Sequence, residues 1–296
     1  MKPAAFTYVA PQSVAEALAL KSEHGEDAKY LAGGQSLIPA MNFRVMQPTA
    51  LIDLNRIKAL DYIREDGDEL RIGALTRYSA VEHHPLVAAR LPLAAEVIGH
   101  VAHPQIRNRG TLGGSLAHAD PAAEMPVLLS VLSGRVLAAS ARGERWIPAD
   151  AFMLGPFTTV LEPDELLIEI ALPALPPGVG AAFREVARRH GDYALLGAAA
   201  TLSLGTDGKI AAARLVFLNA GETPRAAGAA VIGLIGQTPS EALFAQAAQT
   251  IDSDIEPLGT LHASPDYQRH LARVLARRVL AEAAARATQS IEASPA

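Results

Sequence analysis

Two short glycine-rich segments have the residue types and the spacing to bind a ligand. The first is AGGQS, residues 32–36, and the second is TLGGS, residues 111–115. Consecutive glycines let successive backbone N–H groups point into one concavity, and the missing Cβ atoms allow a close approach to the backbone. Each segment also ends in a serine, whose hydroxyl is a further donor. We interpret the pair as a cradle for a pyrophosphate group, which needs several donors but no lysine.

Neither segment matches the two familiar phosphate-binding patterns, G-x-G-x-x-G and G-x-x-x-x-G-K-[ST]. A single Gly-Gly pair is ordinarily just a turn, so the matched pair, and not either member, favours a ligand. Arg107 and Arg109 flank the second segment. They could contact a phosphate or, as arginines near a helix end often do, pair with acidic side chains.

Two other patterns are weaker. The segment GGSLA, residues 113–117, is one substitution from the nucleophile elbow G-x-S-x-G, but polar RNRGT precedes it where a hydrolase needs an apolar strand. His100 and His103 have the spacing of metal ligands, yet no cysteine or glutamate completes a known zinc pattern. We therefore expect neither a serine hydrolase nor a metal site.

Composition restricts the class of protein. The chain has 296 residues, half of them hydrophobic and 19% charged, which is enough for about two domains with a sizeable core. The net charge of -5 argues against nucleic-acid binding. There is no cysteine, so disulfides and cysteine-ligated iron–sulfur clusters are excluded. Without an apolar run of about 20 residues or a signal-peptide pattern, we expect a cytoplasmic protein with no membrane span.

Local signals predict the elements that must position these segments. A capping box at Ser13–Glu16 opens a helix that should end at Gly25, and Asp66-Gly67 indicates a hairpin. A second capping box, Ser79–Glu82, predicts another helix start. Further strands are expected at 29–32, 50–54, 135–140 and 165–172, and a helix at 92–100.

The segment LPALPPGVG, residues 172–180, is the predicted linker, because it holds three prolines and two glycines. After it, strands are expected at 182–188, 194–204 and 210–219, followed by helices at 240–251 and 265–287. The last helix carries Leu271, Leu275 and Val279 on one face, the usual pattern of a face packed on a core.

Three segments of the chain resemble the FAD-binding medium subunit of molybdenum hydroxylases. They are YLAGGQSLIPAMNFR, QIRNRGTLGGSLAHADPAAEMP and RRHGDYALLGAA, and the resemblance runs in order from Ala5 to about Arg278. The group includes the flavoprotein subunits of bacterial carbon monoxide dehydrogenase and the flavin domain of xanthine oxidoreductase. The resemblance implies an α/β (α+β) PCMH-type fold: two FAD-binding subdomains, 1–58 and 59–174, then a smaller α+β C-terminal domain, 178–290.

The resemblance also implies which residues contact FAD. The first loop would bind the pyrophosphate through backbone amides, and the second loop would wrap the cofactor. The residues so implied are Leu31, Ala32, Gly33, Gly34, Gln35, Ser36 and Leu37 in the first segment, Val101, Ala102 and Ile106 before the second, and Thr111, Gly113, Gly114, Ser115, Ala117 and His118 within it.

Five further positions follow from the same resemblance. Relatives often have an aspartate on the FAD hydroxyls where this chain has Glu124, and Asp120 could share that role. Leu166 and Leu167 fall where backbone groups meet the flavin ring. Tyr193 corresponds to an aromatic residue beside the flavin, a sensible stacking partner. No residue is expected to act as a general acid or base.

The resemblance implies partners as well. Because this chain has no cysteine, the 2Fe–2S clusters that feed the flavin would lie on a small partner subunit, and the molybdopterin on a large one. We expect a heterotrimer or a dimer of heterotrimers, in which this chain passes electrons from iron–sulfur clusters through FAD to an external acceptor. Two alternatives stay open: a stand-alone PCMH-type FAD oxidoreductase, and a scaffold that has lost its cofactor.

Overall fold

The computed structural model describes residues 1–292 and contains three larger sheets that follow one another along the chain. The first sheet is parallel, with strand order β1-β3-β2. Its elements are β1 (Thr7–Val9), α1 (Val14–His24), β2 (Ala28–Leu31), α2 (Leu37–Asn42) and β3 (Ala50–Asp53). The first glycine loop joins β2 to α2.

The helix α1 begins and ends where the sequence predicts. Ser13 Oγ accepts a hydrogen bond from the Glu16 amide at 3.1 Å, and Glu16 Oε2 accepts one from the Gln12 amide at 2.7 Å. The helix ends at Gly25, whose φ of 73° favours glycine. Lys21 then fixes the following chain, because its buried ammonium group donates to the carbonyls of Gly25, Glu26 and Ala28 at 3.0, 3.1 and 2.7 Å. The cap at Gly25 and the hydrogen bonds of Lys21 therefore fix the start of β2, which leads into the first glycine loop.

The second sheet is antiparallel, with strand order β4-β5-β10-β6-β7. Gly67, at φ 62°, makes the predicted hairpin turn. Helices α3 to α8 lie between β5 and β6 in the chain. The elements are β4 (Ile63–Asp66), β5 (Glu69–Gly73), α3 (Tyr78–Glu82), α4 (Pro85–Arg90), α5 (Pro92–His100), α6 (Pro104–Arg107), α7 (Leu112–His118), α8 (Glu124–Val131), β6 (Arg135–Ser140), β7 (Gly143–Pro148), α9 (Ala149–Phe152), β8 (Met153–Gly155), β9 (Thr158–Thr159) and β10 (Leu166–Pro173).

The second predicted capping box is wrong. The helix α3 begins after Arg77, and Ser79 lies inside it without capping its end. The start is fixed by the second glycine loop: Arg77 forms a β-bridge with Thr111, and the Tyr78 amide donates to the Gly110 carbonyl at 3.1 Å. A tertiary contact therefore sets the start of this helix in place of the capping box. Residues 79–82 alone give no sign of that contact.

The third sheet is antiparallel, with strand order β11-β12-β13-β14, and the predicted linker shortens to residues 174–178. The long helix α12 packs across it, and only glycine fits at position 180, because a Cβ there would lie 1.8 Å from the Ala283 carbonyl oxygen. The elements are β11 (Val179–Ala187), β12 (Ala194–Leu204), β13 (Ile210–Leu218), β14 (Arg225–Ala226), α10 (Gly228–Ile232), α11 (Glu241–Ala248) and α12 (Pro265–Glu292). Between residues 1 and 292, no helix combines the length and the apolarity needed to cross a bilayer.

One carboxylate joins the third sheet to helix α5, which belongs to the part of the chain that forms the second sheet. Glu96, on α5, accepts hydrogen bonds from the Phe183 amide at 3.3 Å, from Arg184 at 3.1 Å and from Arg286 at 2.6 Å. Glu282 completes the cluster, since it accepts from both arginines. The C-terminal sheet and α12 are thereby fixed to the helix that leads toward the second glycine loop.

We expect Glu96→Ala to lower the free energy of unfolding by about 1.5–3 kcal/mol, because two guanidinium groups and an amide lose a charged acceptor. Glu241→Ala is the matched control, since Glu241 is 88% exposed in its pair with Arg277 and should change the value by less than about 1 kcal/mol. Urea unfolding of both variants checks this. Equal losses in the two variants would contradict the proposed anchoring role of Glu96.

Candidate functional site at the two glycine loops

The two glycine loops, far apart in sequence, meet backbone to backbone. A Cβ atom on Gly33 would lie 2.4 Å from the Arg109 carbonyl oxygen and 2.8 Å from the Gly110 Cα atom. The Ala32 Cβ atom lies 3.6 Å from the place that a Cβ on Gly114 would occupy. Only glycine at position 33 permits this approach. The sequence pattern predicts two loops that act together, and the fold brings them into contact.

An asparagine and an arginine connect the loops. Asn55 donates from Nδ2 to the Ala32 carbonyl at 2.9 Å, which holds the start of the first loop. Arg77 donates both to Asn55 Oδ1 and to the Arg109 carbonyl, which holds the start of the second. Burial, with the positive charge of Arg109 nearby, lowers the pKa of the Arg77 guanidinium. Sequence reasoning missed Asn55 and Arg77, because neither lies in a motif and their partners are backbone carbonyls.

The first loop leaves backbone donors available. Within the described residues, no oxygen of the chain accepts a hydrogen bond from the amides of Gly34, Gln35, Ser36 or Leu37. Gly34 has φ 74°, and the Gln35 side chain braces the loop by donating to the Gly33 carbonyl at 3.0 Å. Ser36 is exposed. Consecutive free amides beside a hydroxyl suit an anionic group.

The second loop differs, because its first amides are used within the chain. The amides of Leu112 and Gly113 donate to the Thr76 and Ala74 carbonyls at 3.2 and 3.0 Å, and the Gly114 amide donates to Thr111 Oγ1 at 3.1 Å. Thr111 and Gly113 are therefore buried supports of the loop. What remains accessible is one side of α7, formed by Gly114, Ser115, Ala117 and His118.

The turn after α5 and the segment before β12 come together beside this loop. A Cβ on Gly191 would lie 2.4 Å from the His103 ring and 2.7 Å from the Ala102 carbonyl oxygen, so the segment that carries Tyr193 packs against that turn. Tyr193 itself is 70% exposed. Ala102 has φ 43° and Val101 is buried, while Ile106 is half-buried at the end of the turn.

Arg107 braces this turn. Its guanidinium pairs with Glu82 at 2.9 Å and donates to the Val101 carbonyl at 3.1 Å. Of the two roles open to it from the sequence, the structure therefore supports pairing with an acidic side chain. The Arg109 side chain is exposed, and its carbonyl is the one that Arg77 holds.

Leu166 and Leu167 lie under the loops and have buried side chains. Leu166 packs in the apolar cluster of the first sheet, which Ala32 also contacts, and Leu167 packs in the cluster of the second sheet. Their side chains are therefore unavailable, and only backbone groups here could meet a cofactor. The next residue, Ile168, accepts from the Ala74 amide at 3.0 Å, and Ala74 in turn accepts from Gly113. This links β10 to the second loop.

Glu124 is a buried carboxyl at the first turn of α8. Burial, followed by the negative charges of Glu185 and Asp120, raises its pKa to about 8. Asp120 lies on the approach to α8 and accepts from the Ala122 amide at 2.9 Å. Partial desolvation and then the carboxyl groups of Asp120 and Glu124 raise the pKa of the Tyr193 phenol. At neutral pH the Glu124 carboxyl is therefore protonated and can donate a hydrogen bond.

The comparisons with known proteins agree with this architecture. Residues 4–175 match the family described as the FAD binding domain in molybdopterin dehydrogenase, and residues 181–283 match the CO dehydrogenase flavoprotein C-terminal domain. The chain is thus an FAD-binding protein of mixed helix and strand with a separate C-terminal domain.

Curated and solved relatives cover nearly the whole chain. Over 292 residues it is 44% identical to the 6-hydroxypseudooxynicotine dehydrogenase complex subunit alpha of Paenarthrobacter nicotinovorans, with 99% of each chain covered. It is 38% identical to the carbon monoxide dehydrogenase medium chain of Hydrogenophaga pseudoflava, covering 97% of this chain and 99% of that one.

A solved carbon monoxide dehydrogenase from Hydrogenophaga pseudoflava, lacking the Mo-pyranopterin moiety, superimposes with a TM-score of 0.94. The two chains are 40% identical, and the match covers 97% of this chain and 99% of that one. The chain belongs to the family of FAD-binding medium subunits of molybdenum hydroxylases, and it is an oxidoreductase subunit.

The residues present fit FAD. The first loop offers free amides and a hydroxyl for a pyrophosphate, and the accessible side of α7 lies next to it without a bulky side chain at Gly114 or Ala117. The Glu124 carboxyl can serve a hydroxyl of the cofactor as donor or acceptor.

We expect Gly33→Ala to weaken FAD binding at least about tenfold, because its Cβ would collide with the Arg109 carbonyl and push the loops apart. Gly228→Ala is the matched control, since a Cβ there meets nothing within 4 Å. Fluorescence titration with FAD measures both dissociation constants. Equal affinities for the two variants would contradict a binding site made by the contact of the loops.

The stability of the protein should depend on pH through Glu124. Because the folded pKa of Glu124 is about 8 against an ordinary value of 4.5, the unfolded state loses this proton first. Stability should therefore fall as the pH rises from about 4.5 to about 8, by up to about 1.4 kcal/mol per pH unit from this group. Glu124→Gln should remove that contribution, so its stability relative to the wild type should increase with pH.

Urea unfolding at pH 5.5, 7 and 8.5 tests this. Glu165→Gln is the control, because the hydrogen bond from Arg145 lowers the pKa of Glu165, which stays ionised throughout this range. The stability difference between that variant and the wild type should not change with pH. Parallel pH curves for the wild type and Glu124→Gln would show that Glu124 is already ionised when folded.

Proposed function

We propose that FAD binds where the two glycine loops meet. The first loop would hold the pyrophosphate through the amides of residues 34–37, and the accessible side of α7 would cover the rest of the dinucleotide. The support is the contact of Gly33 with Arg109 and Gly110, together with the free amides beside it. Thr111 and Gly113 would act indirectly, by shaping the loop.

The flavin would lie toward Tyr193 and the backbone of Leu166 and Leu167. The position of Tyr193 supports this, because the segment that carries it packs against the turn at Ala102, next to the second loop. Glu124, with Asp120 beside it, would contact the FAD hydroxyls. The contacts of Leu31, Val101 and Ile106 with the dinucleotide stay predictions.

The cofactor, when bound, supplies the redox chemistry: it accepts electrons and passes them on singly or in pairs. The protein would bind it, orient it and exclude water around it. We infer that the electrons come from 2Fe–2S clusters of a small partner subunit, fed by a large molybdopterin subunit, in a heterotrimer or a dimer of heterotrimers. The names of two relatives, one a subunit of a dehydrogenase complex and one a medium chain of a dehydrogenase, support an assembly of several subunits.

The alternative, a stand-alone PCMH-type FAD oxidoreductase, has less support because those subunit relatives match the chain over 97–99% of its length. The division into 1–58, 59–174 and 178–290 is part of the proposal, and it follows the three sheets. The cytoplasmic location stays a prediction.

The test is the visible absorption spectrum of the purified chain, with the supernatant after heat denaturation compared with FAD and FMN standards. We expect a yellow protein that releases FAD at about one per chain, or a colourless one that retains FAD after gel filtration once FAD and the iron–sulfur partner have been added. Gly228→Ala should behave identically. A chain that takes up no flavin under any of these conditions would contradict the proposal.

A further inference from the structure

A short hairpin lies against the end of the helix that starts in the second glycine loop. The strands β8 and β9 form it, and the turn between them carries Phe157. The Phe157 amide donates to the Ala119 carbonyl at 2.8 Å, directly after the end of α7. The hairpin is thereby fixed to α7 by its backbone.

The backbone of Phe157 adopts a conformation that is unfavourable for a residue with a bulky side chain. Its φ is 54°, in the left-handed region where bulky residues are genuine outliers. Burial of the ring does not account for this choice of residue, because Phe157 is 59% exposed. Glycine or asparagine would make the same turn with less strain. A strained residue that the fold alone does not require is a reason to look for a function of its side chain.

The ring of Phe157 contacts one residue of the candidate site. Its centroid lies 5.1 Å from that of the His118 imidazole, with the two rings tilted by 51°. Such pairs of rings are favourable at this distance. The half-buried His118 is therefore restrained from the side that faces the hairpin.

His118 continues the accessible side of α7. Gly114 and Ser115 precede it by four and three residues, so all three lie on the same face of the helix. Leu112 and Gly113 lie off this face, because Leu112 packs in the core of the second sheet and Gly113 is buried. A ligand on the second loop would extend along it toward the imidazole.

We propose that Phe157 is a positioning residue for FAD binding: its ring fixes the His118 imidazole on the side of α7 that the dinucleotide covers, and the hairpin turn forms a rim of that cleft. The inference rests on the proposed function, since it takes that face of α7 as the cofactor side. The ring acts through His118, and no proton or electron transfer is assigned to it.

The experiment uses the full chain with five single substitutions, four for comparison and one for assignment of the NMR signals. Phe157→Gly removes the ring and relieves the backbone, Phe157→Leu keeps apolar bulk without the aromatic ring, and Phe157→Tyr keeps the ring. Ser133→Gly is the control for relief of strain, because Ser133 also has φ 54° and lies exposed in the turn after α8. The readouts are the dissociation constant for FAD, the urea unfolding midpoint, and the imidazole NMR signals of His118, assigned with His118→Asn.

We expect FAD to shift the His118 signals in the wild type and in Phe157→Tyr. Phe157→Gly and Phe157→Leu should bind FAD about threefold to tenfold more weakly and lose most of that shift. The unfolding midpoint of Phe157→Gly should not fall below that of the wild type, and Ser133→Gly should bind FAD normally.

Two results would overturn the inference without touching the proposed function. Wild-type affinity and an unchanged His118 shift in both ring-removing variants would show that the hairpin serves another purpose, such as contact with a partner chain. FAD binding that leaves the wild-type His118 signals unmoved would overturn the inference and leave FAD binding itself intact. Failure of the wild-type chain to take up FAD even with the iron–sulfur partner present would instead overturn the proposed function, and the inference with it.

Discussion

The architecture of the site depends on the approach of one backbone to another, Gly33 against Arg109 and Gly110. This contact joins a parallel three-stranded unit to an antiparallel five-stranded one, so the cleft is a junction between two folding units. A side chain at position 33 would separate them, and no side chain could replace the contact. Asn55 and Arg77 then hold the carbonyls on either side of it. The amides of residues 34–37 stay free of partners within the described chain, because Gly33, Asn55 and Arg77 form the junction.

The two loops are similar in sequence, but they use their backbone amides differently. The first keeps its amides unpaired and can offer them to an anion, whereas the second gives its first amides to Thr76, Ala74 and its own Thr111. The second loop is therefore the fixed start of α7, and the accessible side of that helix has no bulky side chain at Gly114 or Ala117. The C-terminal domain places the Tyr193 segment against the turn at Ala102. Glu96 fixes the position of that domain relative to α5.

Capping, periodic and turn signals predicted α1, α5 and the strands β11, β12 and β13 correctly, because capping residues, prolines or turn residues mark their ends. The short strand β14 and the helices α7 and α8 were not predicted. The start of α3 could not be predicted, since the pairing of Arg77 with Thr111 decides it. The glycine pairs marked the place of the candidate site. The roles of Asn55, Arg77 and Phe157 could not be found from the sequence, because each acts on a backbone group or a ring that only the fold brings near.

The most direct test of this account is a crystal structure of the chain with FAD bound. We expect pyrophosphate oxygens within hydrogen-bond distance of the amides of residues 34–37, with the Gly33 contact preserved and the dinucleotide extending along α7 toward His118. A pyrophosphate bound elsewhere, for example in the cleft between α11 and α12 near Arg277 and Arg278, would contradict it.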